Sequence, residues 1–250
     1  MNIQFGTGVL FGVPNAGNLA TDPTPQKFGL LQDCQVTFKG DLKKLYGQSQ
    51  FAAASARGKI DVAVKGKIAT LDPNQMNQLY FGQTAAPGQV RIALDEAASV
   101  PAATPFTVTV LNATKFKGDY GVEYAATGQR LTLVTGTPTT GEDSVDVATG
   151  VYTFAATDTG LGVLISYAWT DTTTGTTLTL TNQLQGYAPI LQALMYNTFR
   201  GKQIAIQLNA CTMGQLSIPS KQEDFWISDF DMEANVDASN TLGYIYADTF

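Results

Sequence analysis

The side chains whose types and spacing come nearest to chemistry lie in Asp229-Phe230-Asp231-Met232-Glu233-Ala234-Asn235-Val236-Asp237. Side-chain oxygens recur there at every second residue, as in a calcium loop. An EF-hand also needs Gly at its sixth position and Glu at its twelfth, where this chain has Ala234 and Asn240. On a strand, alternate residues stand about 6.6 Å apart, so these oxygens form a row and not a cage, and no metal site is expected. Glu223-Asp224 is an adjacent acidic pair in an expected loop, and a carboxylate pair alone does not make a glycosidase. Gly6-Thr7-Gly8-Val9-Leu10-Phe11-Gly12 misses the dinucleotide fingerprint by one position and lacks its strand and helix.

The chain of 250 residues has no histidine. That removes Ser-His-Asp and Cys-His catalysis, His-ligated zinc, and the commonest general base. Cys34 and Cys211 are too few for a disulfide framework or a four-thiolate metal site. They fall on alternating strands, where a free thiol behaves as a small apolar residue. No catalytic residue and no cofactor is expected, and the chain is read as a non-enzyme. Met1-Asn2-Ile3-Gln4-Phe5 lacks the basic start and apolar run of a signal peptide, and no stretch is long and apolar enough to read as a membrane span.

The elements that must position these groups are mostly strands. Cys34, Val36 and Phe38 alternate with Gln35, Thr37 and Lys39; Ile60, Val62, Val64 and Ile68 with Asp61, Lys65 and Lys67. Ile204, Ile206 and Leu208 oppose Gln203, Gln207 and Asn209, and Phe230, Met232, Ala234 and Val236 oppose the acidic row. Period two marks strands with one buried and one polar face. One helix is expected over 71–82, with Asp72 as N-cap, Pro73 at its first position, Gly82 at its end, and Met76, Leu79 and Tyr80 on one face. Residues 186–199 fit helix or strand, and two strands meeting at Arg200-Gly201-Lys202 are favoured. The similar Arg57-Gly58-Lys59 also precedes an alternating strand, but three residues are too few to make a repeat.

Composition divides the chain. Residues 95–182 hold 25 Ser and Thr among 88 positions, against 16 in the other 162, and they carry 3 basic and 9 acidic residues. The formal charge of −6 therefore belongs to this segment, while 1–94 sums to +4 and 183–250 to −4. No basic footprint for nucleic acid is present. Ala97-Ala98-Ser99-Val100-Pro101-Ala102-Ala103-Thr104-Pro105 marks the entry. Short β-like runs follow at Phe106–Val110, Leu131–Val134, Val151–Phe154, Val163–Trp169 and Leu178–Leu180, separated by Gly-containing turns. The fold expected is mainly β: a discontinuous domain, 1–94 plus 183–250, with one short flanking helix and an inserted small β-sandwich over 95–182.

Gly29-Leu30-Leu31-Gln32-Asp33-Cys34-Gln35-Val36-Thr37-Phe38, Asp41-Leu42-Lys43-Lys44-Leu45-Tyr46-Gly47, Ala56-Arg57-Gly58-Lys59-Ile60 and Leu79-Tyr80-Phe81-Gly82 resemble the opening of bacteriophage major tail, or tail tube, proteins. Leu208-Asn209-Ala210-Cys211 and Glu223-Asp224-Phe225-Trp226-Ile227-Ser228-Asp229-Phe230-Asp231 are similar to their closing strands. The insertion resembles the immunoglobulin-like decorations of phage structural proteins. The resemblance implies a tail-tube-type β-sandwich or barrel that self-assembles into hexameric rings. The rings stack around a tape measure protein, meet tail tip or terminator proteins, and pass DNA only in transit. The subunit would reside in the virion tail, and in the host cytoplasm during assembly, with no membrane anchor. Asp229, Asp231, Glu233 and Asn235 are then candidates to line the lumen, where acid repels the DNA backbone. Lys39, Lys65 and Lys67 are expected to pair with that acidic strand. Residues 12–25, with Pro14, Asn15, Gly17 and Asn18, are read as an inter-ring arm ordered on stacking, together with Gln48–Ser55. The insertion is expected on the tube exterior. The competing reading is a surface decoration or adhesin gripping a host glycan through Tyr120, Tyr124, Tyr152, Tyr167 or Trp169 of the Thr-rich module.

Overall fold

A computed structural model describes residues 4–14, 24–70 and 72–248. Strand takes 57% of the residues and helix 6%, so the chain is mainly β. The described strands are β1 (Val9–Pro14), β2 (Gln26–Lys27), β3 (Leu31–Tyr46), β4 (Ala52–Ile68), β5 (Ala85–Ser99), β6 (Thr107–Thr109), β7 (Phe116–Tyr124), β8 (Thr132–Leu133), β9 (Glu142–Asp146), β10 (Val151–Phe154), β11 (Gly162–Leu178), β12 (Ile190–Phe199), β13 (Lys202–Leu216), β14 (Ser228–Asn235) and β15 (Gly243–Ala247). The chain divides into two compact units, one taking in both ends through Ala85 and from Leu178, the other Ala86–Thr177. The boundaries fall earlier than 94 and 182 because β5 and β11 are unbroken strands of the inserted unit. Val90, Ile92 and Leu94 belong to β5 and not to the first flank.

The flanking unit is one sheet in the order β2-β1-β12-β13-β14-β4-β3, with β15 also on β13. Laid flat, the six spacings between its edge strands would span about 29 Å. Yet β2 ends at Lys27 and β3 begins at Leu31, a link that reaches at most about 15 Å. The sheet must therefore curl until its two edges come together. Phe28, in that link, lies 5.0 Å from the Phe230 ring on β14, and the Thr7 hydroxyl, just before β1, donates to the Leu31 carbonyl on β3. Inside the curl sit Leu10, Phe28, Val64, Ile68, Leu191, Leu208, Cys211, Phe230 and Met232, each fully buried large apolar side chain contributing about 1.5–3 kcal/mol.

The helix plugs this core. Asp72 caps α1 (Pro73–Met76) by accepting from the N–H groups of Asn74 and Gln75, at 2.7 and 3.4 Å. The helix then widens into a π-turn over Asn77–Phe81 and ends at Gly82, whose φ of 60° suits glycine. The expected face of Met76, Leu79 and Tyr80 does turn to the core, with Leu79 buried and Tyr80 packed against it, and the polar Gln75 and Asn77 are buried beside it. The two amides are satisfied there. Gln75 donates to the Lys27 carbonyl at 2.5 Å, and Asn77 bonds both the carbonyl and the N–H of Gln83. Between β12 and β13, Arg200 and Gly201 have φ of 50° and 74°, a type I′ hairpin turn. Arg57-Gly58-Lys59, in contrast, lies within β4 and is no turn.

The inserted unit is a β-sandwich. One sheet runs β6-β10-β9-β8, with β8 parallel to β9, and the other β5-β11-β7. Tyr152, Val163, Ile165 and Tyr167 are fully enclosed between them. β7 and β9 lie in stretches that period-two reading passes over.

Candidate functional site

The polar face of the curled sheet is assembled by strand register. Asp229 stands opposite Lys67, Asp231 opposite Lys65, and Glu233 opposite Ala63. On the far side of β4, Lys67 faces Asp33, Lys65 faces Gln35, and Ala63 faces Thr37; across β13, Asp231 faces Gln215 and Glu233 faces Thr212. The register thus lays down parallel rows of mixed charge. Lys65 Nζ closes an ion pair with Asp231 Oδ2, and Lys67 approaches Asp229 at 3.8 Å. The rows frame a concavity of about 300 Å³ between Asp33, Gln35, Lys65, Lys67, Gln215 and Asp231. Asp231 Oδ1 is covered and has no partner. Asn235 is exposed at the end of β14, opposite Ala210.

Lys39 stands apart from this group. It faces Asp61 on β4, and β4 separates it from β14, so it cannot join the acidic strand as expected. Pro14 is likewise not part of an arm: it is the buried last residue of β1, opposite Leu191. Gly12 and Val13 pair in the same strand, because β1 bridges β2 and β12. Asn15, Gly17 and Asn18 lie outside the described residues. Of Gln48–Ser55, the last four residues are already strand β4.

A second feature was not read from the sequence. β14 supports β4 only as far as Ala234 opposite Val62. Beyond that point β3 and β4 continue as a two-stranded ribbon from Lys39 opposite Asp61 to Tyr46 opposite Ala52. Every residue from Thr37 through Asp61 is exposed. Phe38 and Ile60, expected on a buried face, are 49% and 50% exposed, and Leu42, Leu45, Tyr46 and Phe51 are at least as open. The ribbon carries Lys39, Lys43, Lys44, Arg57 and Lys59 against Asp41 and Asp61, a basic excess. The clue in the sequence was the pair of apolar residues Leu42 and Leu45 set among lysines.

The inserted unit holds a buried carboxyl whose pKa is raised. Asp143 is buried, and burial, followed by the nearby Asp119 charge, pushes its pKa up to about 6. Tyr152 donates to Asp119 at 2.6 Å, and burial, then this bond, raises the phenol. Tyr167 donates to Glu96 at 2.6 Å. Both tyrosines have no accessible surface and serve as core. Arg91 meets Asp171 at 2.8 Å; bonds from the Thr173 and Thr174 hydroxyls, more than the arginine, hold that carboxyl well below the usual range. Burial raises the thiol of Cys34 to about 11, with Asp33 adding to it, and that of Cys211 to about 12.

Among the described residues no group of three or more His, Cys, Asp or Glu side chains could hold a metal ion, and no helix is long and apolar enough to cross a membrane. No protein-family model matches the chain, and no curated protein matches it.

Proposed function

We propose that the chain is a self-assembling structural subunit of the phage tail tube type. Copies join through the β3–β4 ribbon into stacked rings, and the rows around Asp229, Asp231 and Glu233 face the bore. The observation that carries this reading is the ribbon. A lone two-stranded hairpin is marginally stable in water, and long exposed edges with apolar side chains invite pairing with another chain. Here the apolar residues sit on both strands of a ribbon that its own core does not contact. A second copy is the occupant of matching chemistry: the ribbon has a basic excess, and residues 183–250 carry 3 basic against 7 acidic residues. Such complementarity sets register and partner choice.

A bore lined by these rows binds DNA poorly. Affinity for duplex DNA comes mainly from Lys and Arg on phosphates, and Lys65 and Lys67 are engaged by Asp231 and Asp229. The tape measure protein, tip proteins and a virion tail location follow from the same reading. Sedimentation and negative-stain microscopy across a concentration series test it. The expected result is rings or tubes from the full chain and monomers from L42D/L45D. A full chain that stays monomeric at millimolar concentration rejects it, as does a variant that assembles unchanged.

A further inference from the structure

The inserted sandwich carries a pocket of about 330 Å³ formed wholly within that unit. Tyr124 and Gln129 bound it on one side, Thr140 and Thr157 on another, and Asp158 and Leu161 complete it. Asp158 is 1% exposed. Its Oδ2 accepts a long 3.4 Å bond from the Gly141 N–H, and the Tyr124 hydroxyl bonds the same carboxyl. Its Oδ1 has no partner. A buried carboxylate oxygen without a donor is costly and calls for an explanation.

The rest of the wall indicates which donor it meets. Thr140 and Thr157 hold their hydroxyls 2.6 Å apart, one donating to the other, and each keeps further hydrogen-bonding capacity. Gln129 is exposed at the rim with an amide that both donates and accepts. Leu161 is 45% exposed and, with the Tyr124 ring, supplies apolar surface. No Lys or Arg lines the pocket, so a phosphate or carboxylate ligand finds no counter-charge. An ammonium ligand would use the carboxylate alone and leave the hydroxyl and amide donors without a role. A polyol alternates donors and acceptors around an apolar ring face, which is the pattern offered.

We propose that this pocket binds a neutral mono- or disaccharide. One ring hydroxyl donates to Asp158 Oδ1, a second bridges Thr140 and Thr157, a third meets Gln129, and the ring face rests on Tyr124 and Leu161. Oδ1 has no exposed surface, so binding requires the side chains over it to shift. The site works in a single subunit, so it stands or falls independently of ring assembly.

Saturation-transfer NMR on the full chain tests this with glucose, galactose, mannose, N-acetylglucosamine and their β1,4-linked disaccharides. At least one of these sugars is expected to bind, and Asp158→Asn and Gln129→Ala each to weaken it at least tenfold. Gln129 is exposed, so its variant keeps the fold should Asp158→Asn lose it. No transfer to any of these sugars overturns the proposal, as does binding that Gln129→Ala and Thr140→Ala leave unchanged.

Discussion

Lys65 on β4 and Asp231 on β14 stand directly opposite each other and close an ion pair on the water-facing side of the sheet. Gln35 and Gln215 extend the same row on either side, so the charge of this face is laid down by register as well as by composition.

Exchanging the two charges tests that register. Half-exposed pairs contribute about 0.5–1 kcal/mol, and Lys65→Asp adds repulsion from Asp231. The single reversal is expected to lower urea stability by about 1–2 kcal/mol, and K65D/D231K to recover most of the loss. A double-mutant cycle showing no coupling would contradict the pairing.

The ribbon also makes a prediction for the free subunit. Lys43, Lys44, Arg57 and Lys59 lie on strands exposed on both faces, where local opening costs little. Trypsin should cut between residues 43 and 59 before any other point, read by mass spectrometry. In assembled material the same bonds should resist.

Stability of the inserted unit should fall as pH rises. Asp143 has a folded pKa of about 6, against 3.8 ordinarily, so the folded state holds this proton more tightly than the unfolded chain. Its contribution is present below about pH 4 and is lost as pH rises through about 6. Glu142, Asp146 and Asp171 are held low by hydrogen bonds and act in the opposite sense at more acid pH. With Trp226→Phe leaving Trp169 as reporter, urea unfolding of this unit should need more denaturant at pH 5 than at pH 7.5, by on the order of 1–2 kcal/mol. Asp143→Asn should flatten that slope.

Gly66 should tolerate no side chain. A Cβ there would sit 2.5 Å from the Phe230 ring and 2.7 Å from the Asp33 carbonyl. Gly66→Ala is expected to cost about 2–3 kcal/mol in thermal or urea melts. Gly47→Ala, where nothing lies within 4 Å, should change stability by less than about 1 kcal/mol.

What could be read from the chain was whatever repeats. Period two marks Val62, Val64, Phe230 and Met232 as an inward face, and Asp72, Pro73 and Gly82 mark a helix by local chemistry. Arg200-Gly201 supplies the turn joining β12 to β13. What escaped reading depends on distance. Phe38 and Ile60 continue the same alternation as Val36 and Val62, yet they are exposed: Ile60 lies beyond the last β14 pairing, at Val62, and Phe38 sits opposite that last pair on the edge strand. Pro14 looked like loop composition, but its burial is decided by Leu191, far along the chain. The mixed rows needed the register between β4 and β14, which neither strand contains alone. Asp158 carries no local signal, since its missing partner shows only when three loops converge.

The two ends of the inserted unit lie side by side. The Thr177 hydroxyl donates to the Gly88 carbonyl at 2.8 Å, and Gln89 reaches Thr174, so the polypeptide departs and returns at one point. Foreign sequence spliced between those points would ask nothing of the surrounding strands. A graft whose own two ends lie equally close could therefore take the place of Ala86–Thr177.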